Sequence, residues 1–385
     1  MVYLDNAATT FPKPQSVTRA MSAFMKHSAA NPGRSGHRLS MAAAKEVYDC
    51  RCAAAEMFGA PGPECVAFTL NATHAINFAL KGALSGGRVV TSCLEHNAVM
   101  RPLTALTAQG KAAWDEAEVD LSDDDAVVER FTELIRPDTA LVACTHASNL
   151  CGRILPIARI GAICRDRNVK FLVDASQSAG ILPIDIAKMH IDYLCMPGHK
   201  GLYGPMGTGM LITSEGSRLN TLIEGGTGSL SSSLEQPDIM PDRFESGTVN
   251  APGIAGLRAG IGFVKEHDPE NIFAKEIQLA ILLYDGLKNI KGVTLYTPRP
   301  TEGYVPVISF NIGDMSSVKA AAELDKMGIC LRGGLHCAPE AHRYFGTLSQ
   351  GMVRASIGAF NTREDISYLL NSVNKLTKTR KQLAY

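Results

Sequence analysis

Lys200 stands in the stretch MPGHKGLYGPMGTGML (196–211), surrounded by one histidine, two prolines and five glycines. A solvated loop lysine needs no such company. A lysine that touches a bound molecule does, because glycine lets backbone come close. Asp174 ends the apolar run KFLVDAS (170–176), and the apolar run IDYLCM (191–196) leads into Lys200. An acid at a strand end can simply cap a turn or pair with an arginine, or it can hold a proton on a basic ring nitrogen. Lysine and aspartate together suit a pyridoxal phosphate site: the amine condenses with the aldehyde, and the carboxylate keeps the ring nitrogen protonated so that the ring is an electron sink. A nucleotide phosphate loop is the weaker reading, since GHKGLYG lacks the G-x-x-x-x-G-K-[ST] order.

Four other stretches carry candidate chemistry. LNATHAIN (70–77) sets Ala72 and Thr73 before a helical pattern, where free N–H groups and the positive dipole end favour a phosphate; an ordinary N-cap at Asn71 or Thr73 explains the same residues. LEHNA puts His96 just after RVVTS (88–92), where a histidine is structural or stacks on a flat ring. In LRGGLHCAPEAH, Cys337 follows a Gly-Gly pair and sits beside His336. An adjacent histidine raises a thiol's thiolate fraction, although sequence neighbours often point apart. Arg354, in VRASIGAFNT, is a surface cation or a planar clamp for a carboxylate.

Elements that position these residues follow from the pattern. RVVTS, ALVACT (140–145), KFLVDAS, IDYLCM and GMLIT (209–213) read as buried strands, and helical patterns such as PIARIGAICRDRNV (156–169) separate several of them. That alternation predicts βαβ units and a mainly parallel sheet, with ligands beyond the carboxyl ends of the strands. The polar segment 225–250 predicts a long functional or subunit-contacting loop. A long helical stretch over 252–290, strands in VPVISFNI (305–312) and GICLRGG (328–334), and a helix from about 362 complete the chain. The expected organisation is a large α/β domain over 15–255 and a smaller α+β domain formed by 1–14 and 256–385.

Composition excludes other classes. The 385 residues hold 38 basic and 38 acidic side chains, which argues against a nucleic-acid partner. No apolar stretch reaches spanning length and the first residues form no apolar leader, so neither membrane insertion nor secretion is expected. Ten cysteines without a C-x-x-C read as reduced thiols, most of them small core residues, and no metal site is expected.

Taken in order, YLDNAAT (3–9), GRSGHRLS (33–40), EHNA, HASNLCG (146–152), VDASQSAG (173–180), GHKGLYGPMGTG, RFESGTVN, RGGLHCAP and VRASIGAFNT resemble the class V aminotransferase family, in its cysteine desulfurase and selenocysteine lyase branch. The resemblance runs nearly end to end. It implies the fold type I of pyridoxal-phosphate-dependent transferases, with Lys200 as the Schiff-base lysine. It further implies Asp174 on the pyridine nitrogen, Gln177 on the phenolic oxygen and His96 stacked on the ring. Ala72, Thr73 and His199 would hold the phosphate, and Thr248 would reach the partner subunit's phosphate in a homodimer. Asn149 and Arg354 would orient the substrate carboxylate, with His37 near the entrance. Cys337 matches the persulfide-forming cysteine, in a short context like that of the group-II (SufS-like) enzymes. Two departures stand out: Pro197 replaces a common hydroxyl residue, and Ala72 a common threonine.

The implied activity is a cytoplasmic cysteine desulfurase that converts L-cysteine to L-alanine, passing sulfur as a Cys337 persulfide to an acceptor protein. Selenocysteine lyase acting on L-selenocysteine, another C–S lyase and an aminotransferase are alternatives within the fold. An inactive sulfur-carrier scaffold is the non-enzymatic alternative, against which Lys200, Asp174 and Gln177 together speak.

Overall fold

A computed structural model describes residues 1–33, 35–214 and 218–383. Arg34, within the GRSGHRLS motif, lies outside the described residues. The first strand, β1 (Val2–Tyr3), is followed by seven that form one sheet. These are β2 (Val66–Thr69), β3 (Arg88–Ser92), β4 (Ala113–Ala117), β5 (Thr139–Thr145), β6 (Lys170–Asp174), β7 (Tyr193–Pro197) and β8 (Gly209–Thr213). The order across the sheet is β2-β8-β7-β6-β5-β3-β4.

The five strands expected from apolar runs all form. Each alternates its side chains between two apolar layers: Val142 and Cys144 face one, Leu141 and Ala143 the other, and the same holds for Leu194 and Met196 against Tyr193 and Cys195. Burial on both faces is why parallel strands read as continuous apolar runs; each such Leu, Ile, Val or Phe contributes about 1.5–3 kcal/mol. Two strands escape the pattern. β2 is only four residues long, and β4 (AWDEA) is an edge strand whose charged positions are half-buried.

β8 alone runs against the direction shared by the other strands of this sheet. The chain therefore returns from β7 through the loop 198–208 rather than through a crossover helix, and that loop carries Lys200. β2, antiparallel to β8, again points the way β7 does, so the carboxyl ends of β2, β3, β5, β6 and β7 open at one edge.

The C-terminal part differs from the sequence expectation in two places. The stretch 252–290 is two helices, Ala251–His267 and Pro269–Lys288, broken at Asp268 with φ 60°; proline disfavours helical backbone in the residue before it. GICLRGG is two strands, not one. β11 (Ile329–Cys330) pairs parallel with β1, while β12 (Arg332–Gly334) joins β9 (Val293–Leu295), β10 (Val307–Ile312) and β13 (Met352–Ser356) in a second sheet. The helix Arg363–Leu383 covers the end of the chain. Segment 225–250 contains neither helix nor strand. Its anchor is a buried ion pair from Glu245 to Arg51 Nη2 at 2.5 Å, with the guanidinium over the Phe68 ring.

Two glycines let the Lys200 loop seat against the loop after β6. A Cβ on Gly201 would stand 2.4 Å from the Ala179 carbonyl oxygen, and one on Gly180, at φ +82°, 2.4 Å from the Gly201 carbonyl oxygen. Backbone cannot yield as a side chain does. The Gly201→Ala variant is expected to lose about 2 kcal/mol in urea unfolding and to displace Lys200; unchanged stability would show that the two loops are not in contact.

Candidate active site

Along the shared strand edge lies a cavity of about 210 Å³ lined by Ala72, Thr73, His96, Asn149, Asp174, Gln177, His199, Lys200 and Arg354. Nine of the sequence-predicted residues thus meet in one place. Eight of them come from five short segments at the ends of β2, β3, β5, β6 and β7, and β13 supplies Arg354 from the second sheet.

At the foot of the cavity the helix Ala72–Ala83 begins. Asn71 caps it by accepting from the His74 N–H at 2.9 Å, and the Asn71 carbonyl takes the Ala75 N–H at 3.2 Å. The N–H groups of Ala72 and Thr73 remain without intrahelical partners, at the positive end of the dipole. The cap at Asn71 therefore leaves these two donors free. Asp174 is also doubly used: its Oδ1 accepts from the Ser176 N–H at 2.9 Å while its carboxylate lines the cavity. His96 caps the helix Asn97–Ala108, its Nδ1 accepting from the Ala98 N–H at 3.0 Å. That leaves the ring proton on Nε2.

Electrostatics in the cavity favour neutral bases. Burial, only partly offset by Asp174, pushes the Lys200 amine down to about 8. Burial likewise pushes His96 and His199 down to about 4. Glu95, beneath the floor, accepts from Ser92 Oγ at 2.5 Å and Thr145 N–H at 2.8 Å, and burial drives it up to about 8.

The N-terminal segment closes one side, a role its sequence did not announce. The His199 carbonyl oxygen accepts from Thr9 Oγ1 at 3.1 Å, Thr10 N–H at 3.2 Å, Thr10 Oγ1 at 3.2 Å and Lys13 Nζ at 2.8 Å. Gln177 is oriented by its Nε2–H to the Ala7 carbonyl at 3.0 Å. Asp5 Oδ1 takes Arg354 Nη2 at 2.8 Å, and the Asn149 carbonyl takes Arg354 Nη1 at 2.9 Å. Arg354 is 1% exposed, so it is no surface cation, and its Nε has no protein partner among the described residues.

Cys337 sits at the rim, part-exposed, outside the residues that line the cavity. The adjacent histidine does not face it. His336 is buried, its ring bonded through Nε2 to the Met352 carbonyl at 2.9 Å, and burial pushes it down to about 3. It is neutral and turned away, so the expectation that it activates the thiol is corrected. The cation at the sulfur is Arg332, whose Nη2 lies 3.8 Å from Sγ. Arg332 also lines the cavity and is the cross-strand partner of Arg354. Like charges directly opposite on a sheet are unfavourable unless an anion joins them. Sequence reasoning missed Arg332 although RGGLHCAP contains it; the β12–β13 register is the signal that was absent.

Two expected residues are not brought to this cavity. Thr248 is exposed and lines a separate groove with Arg51, Thr227 and Glu245. His37 is exposed and caps the helix Arg38–Phe58, accepting from the Ser40 N–H at 3.2 Å. Among the described residues no cluster suits a metal ion, and no helix is long and apolar enough to cross a membrane.

The residues present fit pyridoxal phosphate. The buried His199 Nδ1 lacks a protein partner, the helix N-terminus offers two N–H donors, and an acid faces a lysine across the cavity. Pro197 lines the cavity without a donor, as its type dictates. For the rim, the Arg332→Met variant is expected to slow alkylation of Cys337 by iodoacetamide about tenfold at neutral pH, followed by mass spectrometry of the Cys337 peptide. An unchanged rate would remove Arg332 as the group that faces the sulfur in solution.

The model of the class V aminotransferase family matches residues 2–369. A probable cysteine desulfurase of Methanothermobacter thermautotrophicus is 34% identical, over 97% of this chain and 94% of its own. A cysteine desulfurase of Escherichia coli is 30% identical, over 98% and 93%. The apo structure of a cysteine desulfurase from Thermococcus onnurineus superimposes with a TM-score of 0.91 at 31% identity, covering 98% of this chain and 95% of that one. The shared fold, the convergence of lysine, aspartate and glutamine at one strand edge, and the match along nearly the whole sequence make this chain a member of the pyridoxal-phosphate-dependent class V aminotransferase family.

Proposed function

We propose that the protein is a cysteine desulfurase that releases L-alanine from L-cysteine and carries the sulfur as a persulfide on Cys337. The observation that carries this reading is the guanidinium of Arg332, which faces the Cys337 sulfur on one side and the cavity on the other. Relatives named cysteine desulfurase, matched over almost their whole length, support it.

When bound, pyridoxal phosphate supplies a ring that holds the electron pair left as the substrate's Cα loses its proton. The chain's own groups do the rest. Lys200 Nζ takes that proton, a task suited to an amine whose surroundings favour its neutral form. Asp174 would keep the cofactor's ring nitrogen protonated, and Gln177, fixed by the Ala7 carbonyl, would donate to its phenolic oxygen. Ala72 and Thr73 N–H groups and His199 would hold the phosphate. Arg354, through its unpartnered Nε, and Arg332 orient the substrate carboxylate, with Asn149 beside them. His96 holds a proton on Nε2 for return to the carbon skeleton. The Cys337 thiolate then attacks the substrate sulfur: an S–S bond forms, the Cβ–S bond breaks, and its electron pair stays with carbon until a proton arrives.

Cys337 stands in strained backbone. His336 and Cys337 have φ 50° and 56°, left-handed values that cost non-glycine residues about 1–2 kcal/mol each. The Asn149 side-chain amide donates to the His336 carbonyl at 2.8 Å and the Asn97 N–H to the Cys337 carbonyl at 2.7 Å, holding that turn against the cavity. The short turn supports the group-II (SufS-like) branch. A large domain over 15–255 and a small one over 1–14 and 256–385 agree with the two sheets and with the pairing of β1 to β11. Exposed Thr248 and His37 suit a homodimer in which they complete the partner's site, and free thiols throughout suit the cytoplasm.

Alanine release from L-cysteine in the presence of a reductant tests the proposal, with Cys337→Ala and Lys200→Ala alongside. Cys337→Ala should lose release from cysteine and retain it from L-selenocysteine, whose weaker C–Se bond needs no protein thiol. Lys200→Ala should fall by ~10²–10⁴-fold or more on both. Equal cysteine activity in the Cys337 variant would end the persulfide reading and leave a lyase.

A further inference from the structure

Asn149 lies in the loop that follows β5, and that loop is pinned without the help of its side chain. Ala147 and Ile154 bridge across it, the Ser148 N–H donates to the Arg153 carbonyl at 2.9 Å, and the Gly152 N–H donates to the Ser148 carbonyl at 3.0 Å. From the second sheet, Ser309 Oγ donates to the Leu150 carbonyl and Arg354 Nη1 to that of Asn149 at 2.9 Å. The result is a fixed platform at the cavity wall, on which Asn149 is 8% exposed.

From that platform the Asn149 amide donates through Nδ2 to the His336 carbonyl at 2.8 Å. That carbonyl belongs to the rigid peptide plane that leads into Cys337. The next plane is held as well, because the Cys337 carbonyl accepts the Asn97 N–H at 2.7 Å. Both planes that flank the Cys337 Cα are therefore anchored, and the sulfur keeps one rotation, about the Cα–Cβ bond. Left-handed backbone at both residues, φ 50° and 56°, persists only where its surroundings over-determine it. The Asn97 anchor is main chain. The anchor on the plane before Cys337 is the side chain of Asn149.

We propose that Asn149 is a positioning residue for the Cys337 sulfur, and through it the residue that sets the preference for cysteine over selenocysteine. This inference rests on the reading of Cys337 as the persulfide former. Release of alanine from cysteine needs the thiolate within about 3–3.5 Å of the substrate sulfur, and a misplacement of about 1 Å costs on the order of 10²-fold. Cleavage of selenocysteine, which needs no protein thiol, is indifferent to where that sulfur stands. Both substrates carry the same α-carboxylate, so a contact between Asn149 and the carboxylate affects the two alike. The ratio of their rates isolates the hold on Cys337.

The test compares wild type and Asn149→Ala on L-cysteine and on L-selenocysteine. The kcat/KM for cysteine should fall about tenfold further than that for selenocysteine, the factor one hydrogen bond is worth. Equal losses on the two substrates overturn the proposal and leave Asn149 with the carboxylate only. Hydrogen exchange in the substrate-free holoenzyme gives a second readout. Asn97 is the first residue of its helix, so its N–H has no intrahelical partner and its protection comes from the Cys337 carbonyl. In Asn149→Ala that amide should exchange about tenfold faster; an unchanged rate overturns the hold on the turn. No cysteine is present in this measurement, so a wild type that releases no alanine sinks the desulfurase reading while the exchange rate still decides whether Asn149 holds Cys337. If the alanine variant does not fold, Asn149→Ser, whose hydroxyl is one bond too short for the His336 carbonyl, takes its place in both measurements.

Discussion

An amine enclosed at the end of β7 is the constraint on which the rest of the site depends. Water would hold the Lys200 amine at its ordinary value; burial lowers it to about 8, with Asp174 as the largest opposing charge, so the neutral form lies within easier reach. A lysine kept near neutrality inside a protein needs walls that come close without adding charge. The glycine at 201, set against the Ala179 carbonyl, is one such wall, and the antiparallel return of β8 is what makes a tight loop possible there at all. A crossover helix at that point would have carried the lysine away from the edge where the other four strands end.

That loop does not hold itself. Its peptide between His199 and Lys200 is gripped by the N-terminal segment, with three side chains and one N–H on a single carbonyl oxygen. The same segment orients Gln177 and pairs with Arg354. It reaches the site from beside the second sheet: β1 pairs with β11, and Asp5 bridges to Ser356 of β13. The loop that carries Lys200 and the side chain of Arg354 are thus tied through the nine residues Asp5–Lys13, and their positions are set by one another.

The legible part of the molecule was the part written locally. Lys200, Asp174 and His96 each stand at or just after an apolar run, so a one-dimensional pattern of apolar run, turn and polar residue singles them out; Thr73 stands out from the helical pattern that follows it, and Gln177 only from the family resemblance. What the pattern could not carry was direction and register. His336 neighbours Cys337 in sequence, yet left-handed backbone at both residues sends the imidazole to the Met352 carbonyl, and only the β12–β13 pairing puts Arg332 by the sulfur. The break at Asp268 was visible as Asp-Pro and was overridden by the helical period on either side.

On the proposed reading of Cys337, the arrangement at the rim follows from a conflict between two demands. A thiol that attacks a substrate sulfur must reach into the cavity, and one that hands sulfur on must be reachable from outside. A rigid strand position satisfies neither. The turn after β12 lies between the two, part-exposed, with strained backbone tied by Asn149 on the cavity side and Asn97 at the head of the His96-capped helix. Both ties lead to residues of the site itself. The position of the sulfur is therefore coupled to the cofactor-facing groups, and a change that loosens Asn149 frees the cysteine and the Arg354 clamp together.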